Sequence, residues 1–416
     1  MPKNLLQKLE ILADAAKYDA SCASSGGAKR NSKSGGIGST TGAGICHAYT
    51  PDGRCVSLLK ILLTNFCRYD CAYCVSRRSS NVERARFSVE EVVQLTLDLY
   101  RRNCIEGLFL SSGIARSEDE TMNDLVRVAK ALRLDHSFRG YIHLKTIPGA
   151  SEELIAQAGL FADRLSMNVE LPSERSLREY APEKNAASIK IGMAATRARI
   201  EEATAARKKA PGVIGRAKPP RFAPAGQSTQ IIVGADNASD LSILDASVSF
   251  YASYGLKRVY YSGFSPTGHP SPNLPQTRTP LIREHRLYQA DWLLRFYGFS
   301  LPDLQAAAPS GMLDLQIDPK LAWALQHRSQ FPVDINRANR EMLLRVPGLG
   351  TRAVDRIIAS RRTGSLRLED VARLTGAISR ARPFIVTSDY SPRSLLDDAH
   401  LRQKLVPKPV QMALFE

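Results

Sequence analysis

From Ser57 onward, short apolar runs alternate with longer amphipathic stretches. The runs are Ser57–Leu63, Gly107–Ser111, Gly140–Leu144, Arg164–Val169, Thr229–Val233 and Arg258–Tyr261. Between them Val89–Arg102, Glu120–Leu132, Glu152–Ala158 and Ala238–Tyr254 repeat apolar positions at helical spacing. Strand–helix alternation of this kind predicts a parallel sheet. Six such units predict an α/β fold built on an open, partial (β/α)6 barrel. Reactive groups of such a barrel collect at the C-terminal ends of its strands.

The flanks differ. Residues 1–21 predict a short helix through Leu5, Leu6, Leu9, Leu12, Ala15 and Ala16. Residues 24–44 are rich in Gly and Ser and carry Lys29, Arg30 and Lys33, too little apolar surface to offset chain entropy, so they read as a loop. Residues 184–222 interrupt the rhythm with ten Lys/Arg against two Glu, either a solvated helix with a loop or an arm facing phosphates. Residues 283–298 predict a helix packing aromatic side chains. From Val333 to Ile385 the texture changes to short Arg-rich helices, an all-α C-terminal domain, and the chain closes on a polar, Pro-containing tail. The expected divisions are 1–56 (helix and loop), 57–270 (barrel), 271–332 (helical connector), 333–390 (C-terminal module) and 391–416 (tail).

Composition narrows the class. Of 416 residues, 44% are hydrophobic, so the chain has ample material for a core. No run of 18 apolar residues occurs, and the N-terminus lacks the apolar segment of a secretory signal, so a cytoplasmic protein with no membrane span is expected. Lys and Arg number 57 against 41 Asp and Glu, a net +16 that points to a polyanionic partner.

Seven cysteines, an odd number without an export signal, argue against a disulfide framework. Three stand in Cys67-Arg68-Tyr69-Asp70-Cys71-Ala72-Tyr73-Cys74, directly after an apolar strand. Thiolates are soft ligands, and a C-x3-C-x2-C loop can aim three of them at one iron–sulfur cube, leaving one iron open. A structural zinc would want four ligands and a second knuckle, and none is present. Cys46 and Cys55 precede the first barrel strand, and Cys104 reads as a core residue in a helix-to-strand turn.

Near the C-terminus, Val346-Pro347-Gly348-Leu349-Gly350-Thr351-Arg352-Ala353 contains G-x-G-x-x-A. A dinucleotide-binding turn must follow a strand. Here helical patterns, Ala338–Arg345 and Ala353–Arg361, lie on both sides, which predicts a helix-hairpin-helix. Its exposed backbone N–H groups suit a phosphate. Gly348, Gly350, Thr351, Arg352 and Arg356 are the candidate DNA contacts. Leu366–Ile385, with Thr375-Gly376-Ala377, would be a second half. Between residues 337 and 402 there are 13 Arg against 7 acids.

The cysteine triplet, the aromatic Tyr73 before its third member and the strand ahead of it resemble the radical S-adenosylmethionine (SAM) superfamily. The resemblance implies a [4Fe-4S] cluster on Cys67, Cys71 and Cys74, SAM chelated to the open iron, and an external electron donor. One-electron cleavage of SAM in that family yields a 5′-deoxyadenosyl radical that abstracts hydrogen from substrate. It implies SAM contacts at Tyr73, at the second-strand turn Ser111-Ser112-Gly113, at Ser166, Asn168 and Glu170 on one face after the fourth strand, and at Gly234 after the fifth. Lys145, closing the third strand, would meet the SAM carboxylate or a substrate phosphate. Cys22, Cys46 and Cys55 are candidates for a second iron–sulfur cluster, as in some members. No further catalytic residue is assigned.

Both halves together resemble one family: DNA modification and repair radical SAM proteins found alongside a uracil-DNA-glycosylase-like partner. The resemblance includes Tyr18-Asp19-Ala20-Ser21-Cys22, Cys46 through Cys55, Arg221 through Gln230, and Asp291 through Gly298. It implies an enzyme acting on a nucleotide in DNA. An RNA-modifying radical SAM enzyme, and a non-catalytic DNA-binding partner with a structural cluster, are the alternatives. The C-terminal Gln411-Met412-Ala413-Leu414-Phe415 resembles the peptide by which bacterial repair proteins dock on the sliding clamp. Leu414 and Phe415 would be its anchors, and the Gln411 amide would fix register.

Overall fold

A computed structural model describes residues 3–16, 45–49, 55–209, 219–268, 271–392 and 400–406. Cys22, the Gly/Ser-rich stretch and the peptide Gln411–Phe415 lie outside the described residues. The described residues divide into two compact units, 1–237 with 249–279, and 238–248 with 280–416.

The first unit is a seven-stranded sheet in sequence order. Its strands are β1 (Ile45–Tyr49), β2 (Cys55–Leu62), β3 (Gly107–Ser111), β4 (Tyr141–Lys145), β5 (Arg164–Ser166), β6 (Gln227–Val233) and β7 (Arg258–Gly263). β2 to β7 are parallel throughout, the expected six units of a curled half-barrel. β1 was not expected. It pairs antiparallel with β2, with Cys46 opposite Leu58 and Tyr49 opposite Cys55. Its five residues, Ile-Cys-His-Ala-Tyr, have no clean alternation and read as loop; the pairing with β2 makes them a strand.

Helices α1 (Leu5–Ala16), α2 (Val89–Arg101), α3 (Glu118–Leu134), α4 (Glu152–Phe161), α5 (Glu174–Tyr180) and α6 (Ala186–Lys209) flank or connect the strands, while α7 (Asp240–Tyr254) has its first nine residues in the second unit. Local signals set several starts. Ser88 and Glu91 form a capping box on α2, and Ser117 and Ser173 cap α3 and α5 by accepting N–H bonds. β3 and β6 are buried along their whole lengths, as strands covered on both faces are. The basic stretch 184–222 is not an insertion in the rhythm. Its helix α6 is part of the β5–β6 crossover and buries Ile189, Gly192, Met193 and Thr196. One of its cations, Arg197, donates to the Ala252 and Ser253 carbonyls at 2.8 and 2.9 Å. No helix among the described residues is long and apolar enough to cross a membrane.

The second unit holds α8 (Leu281–Phe296), α9 (Leu301–Ala307), α10 (Pro319–Gln326), α11 (Arg340–Arg345), α12 (Thr351–Ser360), α13 (Leu368–Leu374), α14 (Ile378–Ala381) and α15 (Leu401–Leu405). It is not purely helical. β8 (Val333–Asp334) and β9 (Ile385–Val386) pair in parallel and bring together the two ends of the stretch that carries α11 to α14. Asp240 is fully buried here, bonded to Arg283 at 2.8 Å and to the Leu313 N–H at 2.9 Å. The turns after α11 and α13 interlock. Gly348 has φ +83°, and a Cβ there would meet the Ala377 carbonyl oxygen at 2.7 Å, while the Thr375 hydroxyl donates to the Gly348 carbonyl at 2.9 Å. Glycine is required on both counts.

Lys320 on α10 is buried. Desolvation, with Arg345 nearby, brings its amine from 10.5 down to about 7. Between those values the unfolded chain binds a proton that the folded chain does not, so stability gains as pH rises through that window. Unfolding measured from pH 7 to 10 is expected to show a steeper rise for wild type than for Lys320→Met. Equal slopes would mean that Lys320 stays charged in the fold.

Candidate active site

The C-terminal ends of the parallel strands converge on one cleft of about 150 Å³. β2 runs into the cysteine loop, β3 into Ser111-Ser112-Gly113, β4 ends at Lys145, and the segment after β5 brings Asn168 and Glu170. All of these line the cleft, as do Cys67, Cys71, Tyr73 and Cys74. Two expected contacts do not. Ser166 is buried within the β4–β5–β6 ladder, where its carbonyl accepts from Thr146 at 2.8 Å. Gly234 takes φ +78° just beyond β6 and is absent from the lining, where Gln230 and Ile232 represent that strand.

The cysteine loop is held mainly by backbone bonds. Cys74 N–H donates to the Cys71 carbonyl at 2.9 Å, Ala72 N–H to Tyr180 at 2.7 Å, and Arg68 N–H to Ile114 at 2.7 Å. Asp70 accepts from the Ser79 N–H at 3.0 Å and its hydroxyl at 2.7 Å, and Tyr69 donates its hydroxyl to Glu118. The Arg84 guanidinium donates to the carbonyls of Ser76, Arg77 and Ser80 at 2.8, 2.6 and 2.9 Å, fastening the stretch that follows Cys74. Gly113 N–H reaches the Thr64 carbonyl at 2.7 Å, and a Cβ on Gly113 would meet the Phe66 carbonyl oxygen at 2.5 Å. Glycine at this turn lets β3 close against the cysteine loop.

Opposite charges sit beside the thiols. Glu170 lies 3.2 Å from Lys184 and 3.6 Å from Lys145. Its backbone has φ +65°, yet stays in the ladder through bonds from Glu170 N–H to Gln230 and from Ile232 N–H to Glu170. Asn168 donates its amide to Gln230 at 3.0 Å. Burial alone would lower the Lys184 amine. The Glu170 carboxylate outweighs it and holds the group above the ordinary lysine range. Lys184 also lies 5.7 Å from the Tyr73 ring centroid.

The donor set fits an iron–sulfur cube. Burial pushes the Cys71 thiol up to about 11 and, with Cys71 adding to it, the Cys74 thiol up to about 12. Soft metal ions displace such protons and take the sulfurs as thiolates. Among the described residues no three Cys, His, Asp or Glu side chains converge on a single ion; cysteines of a cube each bind a different iron and need not converge. The Tyr73 hydroxyl is buried in the lining with no oxygen or nitrogen partner among the described residues, and its contact is the Cys71 sulfur, which would be taken up by iron.

Cys46 is buried with Val56, Leu58 and Phe109, whereas Cys55 is exposed. Cys104, expected in the core, is exposed in the turn after α2, where Asn103 adopts φ +56°. Lys184 and Arg84 escaped the sequence reading, because their partners lie in other segments or on backbone carbonyls.

Residues 61–206 match the family model described as Radical SAM superfamily. The match contains the cysteine loop and the Lys145–Glu170–Lys184 cluster. The barrel thus carries a radical SAM domain, the catalytic domain of enzymes that use a [4Fe-4S] cluster and SAM. Solved structures similar to the chain include the FeFe-hydrogenase maturase HydG from Carboxydothermus hydrogenoformans. It is 16% identical with TM-score 0.41, over 56% of this chain and 50% of that one. Methylornithine synthase (PylB) is 14% identical with TM-score 0.41, over 57% and 61%. Streptococcus suis SuiB bound to precursor peptide SuiA is 11% identical with TM-score 0.35, over 56% and 46%. The chain therefore spans less than two thirds of the length of each. No curated protein matches it.

Substituting Cys67, Cys71 or Cys74 by Ala is expected to abolish the charge-transfer absorbance of the reconstituted cluster in each case, while Cys104→Ala keeps it; full iron in Cys71→Ala would overturn the ligand set. Glu170→Ala leaves two lysines without their anion and is expected to lose about 3–5 kcal/mol of stability. A chemical melt of Glu170→Ala that matched wild type would mean that the pair is not desolvated.

Proposed function

We propose that the protein is a radical SAM enzyme acting on a nucleotide in DNA, for repair or modification. One observation carries the first half: three cysteines share a cleft with the ends of four further strands. When bound, the cluster and SAM supply one-electron cleavage of SAM and hydrogen abstraction. The chain's own residues have other tasks. Cys67, Cys71 and Cys74 hold iron. Lys145 and Lys184, with Glu170, give the cleft an excess of one positive charge suited to a carboxylate. Asn168, the Ser111-Ser112 turn and Tyr73 offer polar atoms to an amino acid and ribose.

The DNA half rests on the second unit. Two pairs of short helices, α11–α12 and α13–α14, are each joined by a glycine-containing turn, the arrangement read from the sequence as helix-hairpin-helix. Arg352 is exposed at the start of α12. Arg356 is also exposed, but its guanidinium donates to the Leu374 carbonyl at 2.6 Å, so it fastens α13 as well as adding charge. Such a module grips backbone phosphates without reading bases. The surplus of arginine from 337 to 402 supports this reading, as does the resemblance to the glycosylase-associated family. In that reading a uracil-DNA-glycosylase-like protein and, through Gln411, Leu414 and Phe415, the sliding clamp are partners.

Duplex DNA binding measured against salt tests it. Arg352→Ala is expected to weaken binding uniformly across sequences and to reduce the salt slope by about one. Tighter binding of tRNA than of DNA at one fixed salt would favour an RNA substrate instead.

A further inference from the structure

The second unit contains an open cleft of about 500 Å³ beside the glycine turn assigned to backbone phosphates, most of whose lining that grip leaves unassigned. Three aromatic residues line it, Tyr288, Trp292 and Tyr297, together with Lys320, Arg380 and the Gly348–Gly350 turn. Trp292 is 46% exposed, an unusual place for an indole unless something covers it. Arg380 is already paired with Asp318 on the same lining. Among the described residues Lys320 is not paired with an acid. Its ammonium donates to the Leu349 carbonyl at 2.6 Å and lies 4.8 Å from the Tyr297 ring centroid. The charge that acts on it is Arg345, also positive. A buried cation with a carbonyl and a ring but no anion lacks its counter-ion.

We propose that this cleft is a nucleotide site, in which a base stacks on Trp292 and the attached phosphate serves as the counter-ion of Lys320. Aromatic stacking beside a cation is how proteins take single, unpaired nucleotides whatever their sequence. The assignment rests on the reading that the second unit handles DNA and deepens it. The occupant would be one nucleotide unit out of the helical stack, held beside the turn that meets the backbone. Burial has brought the Lys320 amine near neutrality, and an arriving phosphate would restore its proton.

The test uses the full chain and thymidine 5′-monophosphate, read by intrinsic fluorescence. The two tryptophans are Trp292 and Trp323, and Trp323 is 3% exposed, so a stacked base quenches Trp292. Saturable quenching is expected in wild type and absent in Trp292→Phe. Lys320→Met, its folding checked by the unfolding curves above, should weaken the nucleotide about tenfold or more, the value of one charge-assisted hydrogen bond. It should leave thymidine, which has no phosphate, unchanged. No saturable quenching, or equal affinity in Lys320→Met, overturns the site. Duplex binding is followed in the same preparations. If duplex binds and the monophosphate does not, the nucleotide site fails alone. If Lys320-dependent quenching occurs without any duplex binding, the DNA reading fails and the site is one for free nucleotides.

Discussion

The buried carboxylate of Glu170 is the constraint on which the barrel's mouth depends. It ends the β5 line in a left-handed backbone conformation, remains bonded to β6 through its own N–H and C=O, and neutralises one of the two lysines it meets. Lys184 comes from the approach to α6 and Lys145 from the end of β4, so a single side chain ties three segments together. The cost of burying these charges is offset only while all three are in place. That makes the polar part of the cleft one unit, beside thiols whose own burial keeps them protonated until a metal arrives.

The cysteine loop depends on a different physics. Three thiols in eight residues cannot be aimed by side-chain packing, since each must remain available to iron. Backbone bonds and the Arg84 guanidinium do the positioning instead. Gly113 then lets β3 approach so closely that the Phe66 carbonyl occupies the space of a Cβ. Rigidity comes from atoms that no ligand competes for.

This division explains what could be read in the chain. Periodicity located all six parallel strands within a few residues, because strands buried on both faces are apolar runs bounded by helical patterns. Spacing located the cysteines. Of the three residues that period two put on one face after the fourth strand, Asn168 and Glu170 line the cleft and Ser166 is buried behind it. β1 was illegible because a short edge strand is made by its partner, not by its own pattern. Lys184 sat in a stretch where ten basic residues looked alike. Only tertiary contact separates it from Lys208 or Lys209, which are exposed at the end of α6.

Two lysines, Lys184 half-buried and Lys320 buried, show how the same cost is met in two ways. Lys184 is held charged because Glu170 stands 3.2 Å away, so its own charge is balanced within the barrel's polar cluster. Lys320 has a carbonyl and an aromatic ring, and its amine falls to about 7. A site complete in itself fixes geometry, which suits the holding of a cofactor through many turnovers. A buried lysine short of an anion gains most when one arrives. The sequence contains no hint of this contrast, because neither partner is a near neighbour in the chain: Glu170 stands 14 residues from Lys184, and Leu349 stands 29 from Lys320. It follows from which of them the fold gave a carboxylate.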